Sequence, residues 1–132
     1  MTNQRNRILV VDDLADWRIT LKGMLLDEGF EVQEASSLEQ ALQVLANERF
    51  DLVITDLRLD DSDANNTQGL DLANIIKARQ LDIKVVLITG YDTKDTVAQA
   101  LQPNSQGKRL VADYITKNHT NELPKIAHRL LA

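Results

Sequence analysis

Four short apolar runs in this chain each end in groups that can do chemistry. "RILVV" leads into Asp12-Asp13, "LVIT" into Asp56, "KVVLIT" closes on Thr89 before Gly90, and "LVADYIT" closes on Thr116 before Lys117. Three carboxylates brought to one place repel and raise one another's pKa. A divalent cation resolves that conflict, and magnesium suits an all-oxygen set completed by water and phosphate oxygens. Lys117 can then neutralise one phosphoryl oxygen while the Thr89 hydroxyl donates to another. A carboxylate nucleophile, magnesium, an ammonium and a hydroxyl are the parts needed to form and hold an acyl phosphate. No GxxxxGK[ST] loop occurs anywhere, which argues against a nucleotide pocket.

The spacing of apolar residues predicts the elements that hold these groups. Residues 7–11, 31–35, 52–55, 84–89 and 110–116 read as strands, the second more polar than the rest. Between them, Trp17, Leu21, Met24 and Leu25 mark one helix face, with Gly29 as its stop. Leu38, Leu42 and Leu45 mark a second helix, with Ser37 as N-cap and Gln40 completing a capping box. A third starts at Gly69 and presents Leu70, Ala73, Ile75 and Ile76. A polar fourth spans roughly 92–102 and stops at Pro103. The last presents Leu123, Ile126, Ala127, Leu130 and Leu131.

Five β-then-α units whose strands are mostly apolar throughout imply a parallel sheet covered on both faces. The expected architecture is α/β: a doubly wound five-stranded parallel sheet of order 2-1-3-4-5, a flavodoxin-like (βα)5 sandwich. Ligands in such a sheet bind beyond the carboxyl ends of the strands, where the reactive groups stand. The length of 132 residues suggests one domain, 1–132.

Bulk composition narrows the function further. There are no cysteines, which excludes disulfides, thiol catalysis and cysteine-ligated metals. A net charge of −5 disfavours direct nucleic-acid binding. No apolar stretch is long enough to span a membrane, and the first residues carry no apolar signal region, so a cytoplasmic protein is expected.

The motifs "ILVVDD", "DLVITDL", "VVLITG" and "DYITK", in that order at strand ends, resemble a response-regulator receiver domain, the phosphorylated module of two-component and phosphorelay signalling. The resemblance covers almost the whole chain. It implies that Asp56 is the phospho-acceptor, taking its phosphoryl group from a histidine kinase or histidine phosphotransfer protein with Mg2+. Asp12 and Asp13 resemble the acid pair, Asp13 ligating the metal directly and Asp12 holding a coordinating water. The Arg58 carbonyl would be a further ligand. Thr89 and Tyr114 resemble the switch pair that reshapes a partner-binding surface, and Lys117 the family's lysine. The output partner and oligomeric state are left open.

Three features depart from the family pattern. Asn118 replaces the usual proline after the lysine. A cis bond to a residue other than proline costs about 2.5–4 kcal/mol, so a trans Lys117–Asn118 bond is expected. The segment between Asp56 and Gly69, read as a polar loop over 56–68, is longer than usual. So is the stretch from Thr89 to Lys117, through residues 103–109. These features support an alternative, a pseudo-receiver that binds proteins with weak or no phosphotransfer. An aspartyl-phosphate phosphatase would need a DxD nucleophile motif where this chain has Asp56-Leu57-Arg58, so no enzyme is expected. Asp61, Asp63 and Asn65 imitate the start of a calcium loop, but Asn66 and Leu72 stand where glycine and glutamate are required, which leaves a solvated loop. His119 and His128 read as surface residues, and Trp17 as a core residue that follows the acidic pair closely enough to report metal binding by fluorescence.

Overall fold

The computed structural model describes residues 6–60, 66–79, 81–90, 101–102 and 109–132. Within them, five strands form one parallel sheet: β1 (Arg7–Val11), β2 (Glu31–Ala35), β3 (Leu52–Asp56), β4 (Lys84–Thr89) and β5 (Asp113–Thr116). Their order is β2-β1-β3-β4-β5, as expected. Helices α1 (Ala15–Asp27), α2 (Leu38–Asn47), α3 (Gln68–Ala78) and a C-terminal helix (Leu123–Leu131) cover it. The expected helix at 92–102, Pro103, most of the 103–109 stretch, and Asp61, Asp63 and Asn65 fall largely or wholly outside the described residues.

The alternation of side chains along each strand builds two cores. Leu9, Val11, Val53, Val85 and Leu87 face α2 and α3, meeting Ala41, Leu45, Leu72, Ala73 and Ile76. Ile8, Val10, Leu52, Ile54, Val86 and Ile88 face α1 and the C-terminal helix, meeting Leu21, Leu25, Leu123 and Ala127. β1, β3 and β4 are thus apolar on both faces because both faces are covered. β2, at the sheet edge, alternates exposed Glu31 and Gln33 with buried Val32 and Ala35.

Helix ends follow the local signals, with two differences. Gly29 has φ +90°, its N–H donates to the Leu26 carbonyl at 3.0 Å and that of Phe30 to the Leu25 carbonyl at 3.2 Å. That pair of bonds is the glycine-stopped end expected for α1. Ser37 Oγ accepts from the Gln40 N–H at 3.1 Å, but the Gln40 side chain bonds the Ser36 N–H and hydroxyl rather than closing the box on Ser37. α3 begins one residue earlier than expected, at Gln68.

Two further expectations need correction. β5 is shorter than 110–116: Val111 is fully buried and the Ala112 N–H reaches the Val85 carbonyl at 2.7 Å, but the ladder itself starts at Asp113. An apolar run reports burial, and burial there extends past strand pairing. The 56–68 segment is not uniformly a polar loop either. Leu57 and Leu59 are 2% and 5% exposed, and Leu59 packs in the core under α2 and α3. Asn66 Oδ1 ties the far side back, accepting from the N–H groups of Leu59 at 3.1 Å and Gln68 at 3.0 Å.

Candidate functional site

The described residues contain four buried polar side chains: Asp12, Thr55, Asp56 and Thr89. Asp12 directly follows β1, Asp56 ends β3 and Thr89 ends β4, so all three stand at the carboxyl edge of the sheet.

Asp12 is fixed from several sides. Its N–H donates to the Ala35 carbonyl at 3.1 Å, which carries the β1–β2 pairing one residue past the strand. Its Oδ1 accepts from the Leu14 N–H at 2.9 Å, and its carbonyl accepts from Arg18 Nη1 at 2.7 Å. Arg18 is held in turn by Glu34 at 3.3 Å. Asp56 is set by the pairing of β3 with β4, in register with Ile88, and by the Leu57 N–H donating to the Ile88 carbonyl at 2.8 Å. The Arg58 N–H donates to Asp56 Oδ1 at 3.3 Å. Gly69 passes so close that a Cβ there would lie 2.2 Å from the Asp56 carbonyl oxygen. No other residue fits at that crossing without moving the backbone that carries Asp56.

Lys117 joins the two carboxylates. Its Nζ donates to Asp56 Oδ2 at 2.9 Å and lies 3.3 Å from Asp12 Oδ2. The same Nζ is 4.9 Å from the centre of the Trp17 ring. Gly90 lies beside the lysine stem, with room for a Cβ 3.6 Å from Lys117 Cδ. The Lys117–Asn118 bond is trans, as expected, and a kinked 3₁₀ segment, Lys117–Glu122, leads to the C-terminal helix.

Burial sets the electrostatics. It pushes Asp12 up to about 6, and repulsion from Asp56 adds to the rise, against the pull of the Leu14 N–H and Lys117. Burial also raises Asp56, with Lys117 and the Arg58 N–H opposing it. For Lys117, burial acts downward but is overridden by the hydrogen bond and charge of Asp56, then by Asp12, so its pKa is raised.

One oxygen each from Asp12, Asp13 and Asp56 can lie within 4.8 Å of one another, close enough to share one cation. Oδ2 of Asp12 is buried and accepts no well-aligned hydrogen bond. An all-oxygen set with a spare buried lone pair fits a hard divalent ion such as magnesium.

The structure therefore gathers Asp12, Asp13, Asp56 and Lys117, with Arg58 half-buried beside them. Thr89 is buried in register with Thr116, the residue before Lys117. Tyr114 stands apart: its side chain is 42% exposed on the edge strand, so it is not a core residue here. Trp17, expected in the core though close to the acidic pair, is half-buried and meets the Lys117 cation. Gly69, expected only as a helix start, also packs against the Asp56 backbone. The signal available was a glycine at the head of an otherwise good helix.

The family model described as "Response regulator receiver domain" matches residues 8–127. Response regulator protein PilR of Pseudomonas aeruginosa is 38% identical over 86% of this chain, which corresponds to 23% of PilR. A putative NtrX-like response regulator of Rickettsia bellii is 33% identical over 87% of this chain and 22% of its own length. The chain thus spans less than a quarter of these curated relatives. Among solved structures, a signal receiver domain of an HD domain-containing protein from Pseudomonas fluorescens superposes with TM-score 0.80, at 26% identity, over 97% of this chain and 95% of that one. Response regulator TrrA from Thermotoga maritima, in complex with Mg(2+)-BeF, gives 0.73 at 29% identity, over 95% and 98% of the two chains.

Proposed function

The chain belongs to the response regulator receiver family, and from that premise we propose that 1–132 acts in the cytoplasm as one receiver unit, phosphorylated on Asp56 by a phosphohistidine of a histidine kinase or histidine phosphotransfer protein. An Asp56 carboxylate oxygen attacks phosphorus, the N–P bond breaks, and the imidazole leaves as the acyl phosphate forms. The observation that carries this reading is the Asp56–Lys117 contact of 2.9 Å inside a three-carboxylate cluster. Lys117 orients the acceptor oxygen and neutralises charge on the incoming phosphoryl group. Asp12, Asp13, Asp56 and the Arg58 carbonyl would hold Mg2+, which when bound supplies further neutralisation of that group. Thr89, at the end of β4, donates its hydroxyl to a phosphoryl oxygen. Tyr114, one strand over and half-exposed, changes its position with Thr89 and so alters the surface offered to an output partner. The role is that of a stoichiometric acceptor rather than a turnover enzyme.

The test is to incubate the protein with magnesium and acetyl phosphate and to weigh it intact. Gain of one phosphoryl group by the wild type, lost in Asp56→Asn and when the metal is chelated, is the expected result. A wild type that stays unmodified would favour a protein-binding module without phosphotransfer.

A further inference from the structure

We propose that Trp17 is a positioning residue for the acceptor site, its ring holding the Lys117 ammonium between Asp12 and Asp56; this rests on the receiver reading above. A lysine ammonium sits on a flexible four-carbon stem and does not orient itself. Here it has carboxylate oxygens at 2.9 and 3.3 Å and an aromatic face at 4.9 Å. That distance is within the ~6 Å over which a ring face attracts a cation. The side chain of Lys117 is only 12% exposed, so the attraction acts with little screening.

Trp17 is placed for this role by its helix. Leu21 and Leu25, four and eight residues on, lie on the same helix face and are buried in the core. Trp17 is the end of that face nearest Asp12 and Asp13, and it is only half-buried. A tryptophan filling core space would have no need of a cation against its ring. Here the ring lies against the same ammonium that the two carboxylates hold. With the ring removed, Nζ gains room to swing away from the acceptor and bridges both carboxylates for a smaller share of the time.

The experiment compares the wild type with Trp17→Leu, which keeps apolar bulk, and Trp17→Phe, which keeps a ring face. Phosphorylation rates are measured at saturating magnesium and acetyl phosphate. Trp17→Leu is expected to be about tenfold slower, the equivalent of ~1.4 kcal/mol, and Trp17→Phe intermediate. Magnesium affinity by calorimetry is expected to stay within about twofold, since Trp17 offers no ligand. Independently of any phosphodonor, NMR reads the Lys117 Cε protons. They are expected to be shifted upfield by the ring in the wild type, partly in Trp17→Phe, and not in Trp17→Leu. Equal rates in all three proteins would overturn the proposal while leaving the receiver reading intact. So would a loss in Trp17→Leu that Trp17→Phe fails to recover, which marks simple space-filling. If the wild type takes no phosphoryl group, the receiver reading fails. The proton shifts then decide on their own whether Trp17 positions Lys117, and an unshifted wild-type signal refutes it.

Discussion

The two ends of the sheet carry the same three parts and use them differently. At the amino edge, Arg7 opens β1 among carboxylates. Its Nε is 3.3 Å from Glu31, its guanidinium bonds Glu48, and its N–H donates to Asp51 at 2.9 Å. It also lies over a ring, Cζ being 4.9 Å from the centre of Phe50. At the carboxyl edge, Lys117 has Asp12, Asp56 and the Trp17 ring. The parts match, but the solvent does not. Arg7, Glu31 and Glu48 side chains are 28%, 54% and 38% exposed, whereas Lys117, Asp12 and Asp56 are 12%, 1% and 9% exposed. Water satisfies most of the amino-edge charge, and such a cluster contributes little to stability. At the carboxyl edge the charges must satisfy one another. There two buried carboxylates, Asp12 and Asp56, share the Lys117 ammonium, a local negative excess held next to a nucleophile that a metal ion and a phosphoryl group can complete.

The largest effect expected from that contrast comes from Lys117→Met. Removing one partner of a buried pair leaves uncompensated charge and typically costs about 3–5 kcal/mol. We expect a loss of about 3 kcal/mol near pH 8 in chelator, read by urea unfolding. The loss should shrink toward pH 5, because Asp12, raised to about 6, then takes up a proton and relieves the repulsion. An equal loss at both pH values would mean that Lys117 matters for packing and not for charge.

Asp12→Asn tests the same excess with the opposite sign. A carboxyl whose folded pKa is raised adds stability below its ordinary value of 3.8 and loses it as pH climbs through about 6. In metal-free wild type, Asp12 therefore contributes a fall of up to about 3 kcal/mol over that window. Asp56, also raised by burial, pulls the same way. The Asn variant should lose most of this slope and be more stable than wild type near pH 8, by about 1–3 kcal/mol. It should also bind magnesium more weakly. A variant less stable than wild type at every pH would show that the Leu14 contact to Asp12, and not charge relief, dominates.

Legibility from sequence divides along the same line. The strand order, both helical faces and the gathering of Asp12, Asp13, Asp56 and Lys117 were readable, because period-two and period-3.6 burial and strand-end rules act locally. What hid was set by long-range contact. Gly69 against the Asp56 carbonyl joins residues thirteen apart through a crossing that no periodicity marks. Trp17 has the spacing of a core residue, and only the return of the chain at Lys117 turns its ring to a cation. Leu59 looked like part of a polar loop because its neighbours are acidic, yet it packs beneath α2 and α3. The amino-edge cluster was unreadable for the same reason, since Arg7 meets Glu48 and Asp51 only once β1 and β3 are paired.

The smallest expected effect, and the sharpest control, is Arg7→Met. The substitution removes at least as many side-chain contacts as Lys117→Met does, so contacts alone predict no less damage. Solvent access predicts otherwise. Glu31 and Glu48 keep access to water when the guanidinium goes, and Asp51 keeps its bond from the backbone N–H, so no carboxylate is stranded and the loss should be about 1 kcal/mol or less. Added salt separates the two ends further. Screening length falls from ~10 Å at 0.1 M to ~3 Å at 1 M, which should erase much of the Arg7→Met difference. The Lys117→Met difference should persist, because ions reach buried charges poorly. Urea titrations of both variants at the two salt concentrations measure this. Should Arg7→Met cost as much as Lys117→Met, or respond to salt no differently, burial would not be what distinguishes the two ends of the sheet.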